Sequence, residues 1–398
     1  MGRIGIYGGS FNPPHNGHME AARFAIGALR LDRLIVIPAG IAPHKELPAH
    51  SATPEQRYEM LKLAFAQDEK VEVSDMELRR EGYSYTCETV SALKAQYPDD
   101  DLFLLMGTDM FLSLSEWKEP ETIVRAASPA VMYRGDPGEE AEVLHCKREW
   151  EDKGVCISVV KNPVIAISST QLRRMLIFHC AAPFLPESVA DYISKNGLYA
   201  VNEDLRRLPM ERLEPLVISL LNPNRVNHVL GCRDTAEKLA LRWGADPVIA
   251  ARAGILHDIT KALDGPLQLT LCREYGTILD DFGQRHPKTL HALTGSLVAR
   301  RIFGEPEQVV SAIRHHTTGK ADMTLMEKII YVAVYMEPCR NFPGVDRLRE
   351  LAFSDLDGAL RLGLEMTLEN LKSRREEISP ESWEALEFLK GSKAPEKG

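Results

Sequence analysis

The sequence changes character near residue 210, and this change limits the folds that the chain can adopt. Before that point, short apolar runs bounded by Gly, Pro or Asp alternate with stretches of helical periodicity, a pattern that predicts a parallel α/β sheet. After residue 211 the strand signals stop and amphipathic helical patterns follow, which predicts an all-helical second half. The predicted strands are 3–7, 34–37, 101–105 and 155–160, and the predicted helices are 17–29, 55–66, 88–97, 234–243, 247–256, 290–302, 306–315 and 325–336.

The boundary between the two patterns is predicted within 200–212, a polar segment with a proline that suits a domain linker. A chain of 398 residues is long enough for two or three cores. We therefore predict an α/β domain over residues 1–205 and an all-α domain over residues 212–390. The residues from Lys390 onward have little to bury and are expected to fray.

Composition excludes several classes of protein. Forty-eight Lys and Arg against 57 Asp and Glu give a net charge of −9, which lacks the basic surface of nonspecific nucleic-acid binders. No apolar stretch approaches the roughly 18 residues of a membrane span, and glycines interrupt the first residues before the core of a signal peptide could form. The seven scattered cysteines contain no Cys-x-x-Cys pair, which favours reduced thiols. We expect a cytoplasmic protein with no nucleic-acid or membrane partner.

One loop carries the chemistry of the first half. Gly8-Gly-Ser-Phe-Asn-Pro-Pro-His-Asn-Gly-His18 follows the first predicted strand and leads into a helix. Glycine lets the backbone approach a ligand, and a helix N-terminus that follows a strand is a natural seat for phosphate. His15 and His18 are three residues apart, so on one helix they share a face and can both donate to one phosphate group.

This loop resembles the signature of the His-x-Gly-His nucleotidyltransferases. Over about residues 1–200 the chain is similar to the bacterial nicotinate-nucleotide adenylyltransferases within that superfamily. The further motifs that match are Pro43-His-Lys45, Ser84-Tyr-Thr86, Gly107-Thr-Asp109, Trp117, Ile167-Ser-Ser-Thr-Gln-Leu-Arg173 and Tyr192-Ile-x5-Leu-Tyr199. The resemblance implies a Rossmann-like fold, a parallel sheet with helices on both faces, and transfer of AMP from ATP to nicotinate mononucleotide with Mg2+.

The resemblance also implies roles for individual residues. Adenylyl transfer needs in-line placement of a phosphate and neutralisation of developing charge, and the catalytic residues expected for this are His15, His18, Lys45 and Arg173. Asp109 is expected at the ribose, and Thr86 and Trp117 around the pyridine ring, although a Trp outside such a motif is more often part of a core. The full set of expected substrate-binding residues is Gly8, Gly9, Ser10, Phe11, Thr86, Gly107, Asp109, Trp117, Ser168, Ser169 and Thr170.

Histidines crowd into the second half, where six of the 12 lie within residues 228–316. Imidazoles together with a carboxylate that can bridge are a ligand set for one or two transition metals. The candidate ligands are His228, His257, Asp258, His291 and His316. His286 and His315 are expected at the surface or behind the ligands.

The order of these residues resembles the HD-domain family typified by YqeK over about residues 212–390. The motifs that match are Arg225-x-x-His228, Ala253-Gly-Ile-Leu-His-Asp-Ile-Thr-Lys261, Leu290-His291-Ala, His316-Thr-Thr-Gly319 and Glu337-Pro-x-Arg340. The resemblance implies an iron centre whose metals activate water to cleave diadenosine tetraphosphate symmetrically into two ADP. It also implies that Lys261 contacts the substrate phosphate, where it would otherwise be a solvated lysine.

The chain departs from this second family at the last metal ligand. The family's helix reads Leu-Ala-Asp-x-x-Glu-Pro, whereas this chain reads Val332-Ala-Val334-Tyr-Met-Glu337-Pro. Valine cannot coordinate a metal, so one metal position would keep only His228, His257 and Asp258. The metal there is expected to bind more weakly than the metal held by Asp258, His291 and His316. We therefore predict a hydrolase that is impaired or silent. Glu337 is also present in the family and is not evidence of compensation.

Two other interpretations stay open. The first half could be another His-x-Gly-His transferase, for example one acting on a pantetheine phosphate, and Thr86 and Trp117 separate the two. The second half could be a nucleotide-binding regulatory module without turnover, which Val334 favours. The sequence leaves the oligomeric state open.

Overall fold

The computed structural model describes residues 2–41, 51–133, 138–162 and 167–391. The chain divides into two compact units, Met1–Glu203 and Asp204–Gly398. None of the helices in these described ranges combines the length and the apolar character needed to cross a bilayer.

The first unit is built on a six-stranded parallel sheet. Its strands are β1 Arg3–Gly9, β2 Arg33–Pro38, β3 Val71–Val73, β4 Asp101–Gly107, β5 Ser128–Met132 and β6 Ser158–Val160, in the order β3-β2-β1-β4-β5-β6. This is the doubly wound order of a Rossmann-like fold, as predicted. The pattern missed β3, which has only three residues, and β5, where Pro129 is a strand-breaking signal.

Helices of the first unit pack on this sheet. They are α1 Asn16–Ala28, α2 Pro54–Ala64, α3 Thr86–Gln96, α4 Thr108–Leu112, α5 Pro120–Ala126, α6 Glu139–Glu151, α7 Ser169–Ile177 and α8 Glu187–Lys195. Alternate strand residues such as Ile6 and Leu104 form one buried cluster with Val90 of α3, Ile123 of α5 and Val143 of α6. Burial of this apolar face fixes the register of the strands and hence the positions of the loops at their ends.

The second unit is helical throughout its described residues, as predicted. Its helices are α9 Met210–Leu220, α10 Val226–Trp243, α11 Pro247–Leu256, α12 Gly265–Glu274, α13 Asp281–Arg285, α14 His291–Arg301, α15 Glu307–His315, α16 Leu325–Met336, α17 Val345–Ala352, α18 Leu356–Ser373 and α19 Pro380–Gly391. The helix predicted at 234–243 begins eight residues earlier, at Val226, so His228 lies within it. These first eight residues include Gly231, which weakens a helical pattern in the sequence.

Two of these helices approach each other closely. A Cβ atom at Gly254 of α11 would lie 2.8 Å from the Cα of Arg233 on α10. Only glycine permits this separation without a backbone shift. The contact holds His228 of α10 near His257, the C-cap residue that follows α11.

Candidate functional site

A crevice is expected at the centre of the sheet in the first unit. All six strands are parallel, so their carboxyl ends lie at one edge. β1 and β4 are neighbours, and the strand order continues in opposite directions on either side of them, which is where open α/β sheets bind ligands. Gly8 and Gly9 end β1, and Gly107 ends β4. A Cβ atom at Gly8 would meet no atom within 4 Å, so the backbone is open to a ligand there.

His15 and His18 lie together at the start of α1. His15 is the N-cap residue, and the centroids of the two imidazole rings are 3.7 Å apart. The backbone N–H of His15 donates to Nδ1 of His18 at 3.3 Å, so a neutral His18 ring carries its proton on Nε2. Phe11, buried in the loop, packs edge-on against His18 with a centroid distance of 5.0 Å. The His18 ring is therefore oriented as a hydrogen-bond donor through Nε2.

Arg173 of α7 reaches back to the same loop. Its Nη1 donates to the carbonyl oxygen of Asn12 at 2.7 Å, and its Nη2 donates to Oγ1 of Thr170 at 3.0 Å. Burial lowers the pKa of the Arg173 guanidinium from its ordinary value. The structure thus brings Arg173 to the loop that carries His15 and His18.

The N-terminus of α7 is capped by a serine side chain. Oγ of Ser168 accepts from the backbone N–H of Gln171 at 3.2 Å. The hydroxyl of Ser169 donates to the carbonyl oxygen of Pro13 at 3.3 Å, which is a second link between α7 and the loop after β1. A helix N-terminus with its dipole directed at this loop favours an anionic ligand.

Asn12 forms hydrogen bonds with three segments that are distant in the sequence, and the motifs did not predict these contacts. Its Oδ1 accepts from the hydroxyl of Tyr199 at 2.7 Å, and its Nδ2 donates to Oγ of Ser51 at 2.8 Å. Burial raises the pKa of the Tyr199 hydroxyl, so it stays protonated and donates. Asn12 and Tyr199 both stand in matching motifs, but their separation of 187 residues hides their contact from the sequence.

Arg57 of α2 is a second contributor that no motif marks. Its side chain is buried, with Nη1 donating to the carbonyl of Ser10 at 2.7 Å. Its Nη2 donates to the carbonyls of Ala39 at 2.6 Å and Gly40 at 3.2 Å. One guanidinium therefore ties the loop after β1 to the loop after β2. A single arginine on a helix has no sequence signal for such a role.

The residues expected around the nucleoside lie on separate elements. Thr86 is the half-buried first residue of α3, and Asp109 is exposed in the first turn of α4. Trp117 is half-buried, its Nε1 donates to Oγ of Ser113 at 3.3 Å, and its ring packs against the core of the sheet. Trp117 therefore has one side in the core and part of its surface exposed. Lys45 lies outside the described residues.

The second unit brings the five predicted metal ligands together around Asp258. Oδ2 of Asp258 lies 3.7 Å from Nε2 of His228 and 3.6 Å from Nε2 of His257. Oδ1 lies 3.5 Å from Nε2 of His291 and 3.9 Å from Nε2 of His316. All five residues are buried. One carboxylate thus divides its two oxygens between two pairs of imidazoles, which is the arrangement of a bridging ligand.

Oxygen partners behind the rings set the orientation of each imidazole. Nδ1 of His257 and Nδ1 of His316 each lie 2.7 Å from a backbone carbonyl, and Nδ1 of His291 lies 3.1 Å from another. Nδ1 of His228 lies 3.0 Å from Oε1 of Glu337. Since these oxygens accept hydrogen bonds, each Nδ1 carries the proton and each Nε2 presents its lone pair to the centre.

This arrangement fits a metal centre. Nε2 of His228 and Nε2 of His257 are 3.2 Å apart with both lone pairs directed inward, which is repulsive unless a cation lies between them. Burial lowers the pKa of His257 to about 4 and those of His291 and His316 to about 3. Burial also raises the pKa of the Asp258 carboxyl, but the surrounding imidazoles outweigh it and hold that pKa below its ordinary value. Neutral imidazoles around a carboxylate are what a transition metal requires.

Further charged groups border this centre. Arg225 pairs with Oδ2 of Asp258, and Nζ of Lys261 lies 3.3 Å from Nε2 of His291. Glu337 is buried, and besides its contact with His228 its Oε2 accepts from the backbone N–H of Cys339 at 2.6 Å. It therefore stands behind His228, on the side of the ring away from Asp258.

Val334 is buried on α16, and its carbonyl oxygen accepts from Nε of Arg340 at 3.0 Å.

His286 stacks on Phe282, with a centroid distance of 4.4 Å, and belongs to a different part of the unit. His315 is the last residue of α15 and is half-buried.

Cys232 is a candidate ligand that the sequence did not single out. It lies one helical turn after His228 on α10, is fully buried, and its Sγ is 3.8 Å from both ring nitrogens of His228. Its ligand atom and those of His228 and His257 lie within 4.8 Å of one another. The spacing His-x-x-x-Cys on a helix is the only sequence signal that could have found it.

Two family models match the chain, and each covers the residues of one of these two sites. Residues 6–175 match the cytidylyltransferase-like family, and residues 225–337 match the HD domain.

Individual proteins match each half. A protein of Dictyoglomus thermophilum named probable nicotinate-nucleotide adenylyltransferase is 39% identical over 198 residues, which covers 50% of this chain and 99% of that protein. A protein of Neisseria meningitidis with the same name is 36% identical over 204 residues, with coverage of 50% and 99%. A solved structure described as a predicted HD superfamily hydrolase involved in NAD metabolism, from Clostridium acetobutylicum, is 35% identical and covers 47% of this chain and 99% of its own, with a TM-score of 0.46.

Proposed function

The chain belongs through its first half to the nicotinate-nucleotide adenylyltransferase family, and from this membership we propose that the first unit transfers AMP from ATP to nicotinate mononucleotide. The products would be nicotinate adenine dinucleotide and pyrophosphate. The observation that carries the proposal is the convergence of His15, His18 and Arg173 on one loop at the end of β1.

The proposed chemistry uses no protein nucleophile. The phosphate of nicotinate mononucleotide attacks the α-phosphorus of ATP, and the protein holds the two in line while it neutralises charge on the transferred and leaving groups. Nε2–H of His18 is oriented to donate to a phosphate oxygen, and the guanidinium of Arg173 supplies positive charge beside the N-terminus of α7. Lys45 stays a predicted further donor. Mg2+ bound with ATP would shield the triphosphate.

Recognition of the acceptor is proposed for the residues that follow β3 and β4. Part of the Trp117 indole is exposed and would stack on the pyridine ring, with Thr86 beside it. Asp109 would accept from the ribose hydroxyls. Gly8, Gly9 and Gly107 would let the backbone approach the nucleotides.

A direct assay tests this function. The full chain is incubated with ATP, Mg2+ and nicotinate mononucleotide, and nicotinate adenine dinucleotide and pyrophosphate are measured together. We expect equal amounts of both products, and no adduct when a pantetheine phosphate replaces the mononucleotide. Product from the pantetheine phosphate alone would instead support another His-x-Gly-His transferase.

The second unit contains an HD domain, and we propose that it holds one or two transition metals and handles a nucleotide phosphate. His228, His257 and Asp258 would hold one metal, and Asp258, His291 and His316 the other, with iron as the expected ion. Such metals would supply an activated water for attack on phosphorus. Lys261, next to His291, would contact the substrate phosphate. The proposed substrate is diadenosine tetraphosphate.

Val334 makes weak hydrolysis the expected result, and a nucleotide-binding regulatory role is the alternative. Both are tested by metal analysis of the purified full chain together with an assay of ADP release from diadenosine tetraphosphate. Bound metal with slow or absent ADP release is the expected result. Rapid release would show that the site works without the carboxylate that Val334 replaces.

The free cysteines of this chain fit a reducing compartment, so we also propose a cytoplasmic location.

A further inference from the structure

We propose that Cys232 is a ligand of the metal held by His228 and His257, so that this position selects a thiophilic ion. The inference rests on the proposed metal centre but not on any hydrolytic activity. It starts from a buried thiol that lies beside His228 and His257, at the metal position that the resemblance to the HD family predicts to lack its usual carboxylate.

The distances suit one coordination sphere. Metal–nitrogen bonds of about 2.0–2.1 Å and a metal–sulfur bond of about 2.3 Å place tetrahedral ligands roughly 3.3–3.6 Å apart. Nε2 of His228 is 3.2 Å from Nε2 of His257, and Sγ of Cys232 is 3.8 Å from Nε2 of His228. Because Sγ is also 3.8 Å from Nδ1 of His228, a rotation of the Cys232 side chain toward Nε2 is needed to bring the sulfur to a metal held there.

The other ring nitrogen of His228 already has a hydrogen-bond partner. Nδ1 of His228 is bound by Glu337, so its Nε2 is the nitrogen left to face a metal together with Sγ. Cys232 follows His228 by four residues on α10, which places both side chains on one face of the helix. Asp258, with its Oδ2 3.7 Å from the same Nε2, supplies the fourth ligand.

This set of four ligands differs in its metal preference from a site made only of histidine and carboxylate ligands. Two imidazoles, one carboxylate and one thiolate favour Zn2+, Co2+ or Fe2+ over Mg2+ or Mn2+, which prefer oxygen. Metal binding would release the thiol proton, because a coordinating thiol is deprotonated. A thiolate ligand would also strengthen metal binding at the position expected to be weakened by Val334.

Cobalt substitution tests the assignment without any turnover. The full chain is stripped of metal, loaded with Co2+, and its near-ultraviolet spectrum is recorded for a sulfur-to-cobalt charge-transfer band. Cys232→Val keeps a buried apolar side chain of similar size, and Cys272→Val is the matched control, since Cys272 is equally buried on α12 of the same unit. We expect the band in the wild type and in Cys272→Val and its loss in Cys232→Val. Zn2+ affinity at this position should fall by at least about 10- to 100-fold in Cys232→Val.

The outcomes separate this inference from the metal centre as a whole. Co2+ bound by the wild type without a charge-transfer band would overturn the role of Cys232 and leave the centre standing. No metal binding by the wild type would overturn both. Circular dichroism of Cys232→Val establishes that the variant is folded, and a Cys232→Ser variant, which keeps a weaker oxygen ligand, should bind Zn2+ with intermediate affinity.

Discussion

Backbone partners give the histidines of the two sites opposite proton arrangements. His18 accepts a backbone N–H at Nδ1, which leaves the proton on Nε2. His257 and His316 instead have a carbonyl oxygen at Nδ1, which leaves a lone pair on Nε2. The same side chain therefore presents an N–H group in one unit, where we propose a phosphate, and a lone pair in the other, where we propose a metal.

The donor role of His18 can be measured directly. His18→Ala removes an oriented donor to charge that builds up in the transition state, so kcat for adenylyl transfer should fall by about 100- to 1,000-fold. The measurement is steady-state formation of nicotinate adenine dinucleotide. His145→Ala changes an exposed histidine of α6 in the same unit and should leave the rate unchanged. Near-normal turnover of His18→Ala would contradict the assignment.

Trp117 is expected to act mainly in binding the acceptor. Stacking on the pyridine ring acts in the ground state and the transition state alike, so Trp117→Ala should raise KM for nicotinate mononucleotide roughly 10-fold or more and change KM for ATP little. Trp117→Phe keeps a stacking ring and should lie in between. Because the indole also packs against the core, thermal unfolding of both variants is recorded alongside. A selective loss of ATP affinity would show that the ring binds elsewhere.

Val334→Asp supplies the carboxylate that the resemblance to the HD family predicts at this position. Another carboxylate at the first metal should raise cleavage of diadenosine tetraphosphate by at least about 10-fold. The measurement is ADP release at equal protein concentration, with metal content determined for each sample. Val334→Ala shortens the side chain without adding a ligand and should stay at the wild-type rate. Equal rates for wild type and Val334→Asp would mean that this residue does not limit hydrolysis.

At the scale of whole helices, α10 and α11 are in close contact and carry two of the proposed metal ligands. Gly254→Ala would place a Cβ atom 2.8 Å from the Cα of Arg233, so the two helices must separate. We expect a loss of about 1–3 kcal/mol in the free energy of unfolding, together with weaker metal binding, because His228 and His257 sit on the two helices. Gly363→Ala on α18 is the matched control, since its Cβ would make only ordinary contacts at 3.5 Å or more. Denaturant unfolding and metal titration check both effects.

At the scale of the whole molecule, the buried imidazoles make the second unit sensitive to acid. The pKa values of His257, His291 and His316 are about 4, 3 and 3 in the folded chain, against about 6.5 when unfolded. Below pH of about 6.5 the unfolded chain therefore binds protons that the folded chain does not, and stability falls as the pH drops toward about 4. Asp258, whose pKa is lowered, acts in the same direction at lower pH.

Calorimetry of the metal-free chain between pH of about 7.5 and about 4.5 checks this dependence. The unfolding temperature of the second unit should decrease steadily over that range, and His316→Gln should make the decrease smaller because one titrating group is removed. Bound metal should raise the unfolding temperature without removing this dependence, since protons compete with the metal for the imidazoles. An unfolding temperature that is constant from pH of about 7 to about 5 would contradict it.

Much of this molecule follows from local sequence. Alternation of short apolar runs with helical periodicity predicted the parallel sheet, and the loss of strand signals after residue 211 predicted the helical second half. Such patterns repeat every two or about 3.6 residues, so they are visible within one element. β5 was not predicted because Pro129 breaks its local pattern, although its pairing with the neighbouring strand β4 holds it in the sheet.

Tertiary structure alone decided which side chains meet. The contact of Arg173 with Asn12, the tie of Arg57 to two loops, and the place of Cys232 beside His257 all join residues that are far apart in the chain or that no motif marks. Motifs supplied the candidate residues, because each motif preserves its own spacing. Distances between motifs depend on how helices and strands pack, and that packing is determined by burial of apolar faces throughout each unit rather than by any short segment.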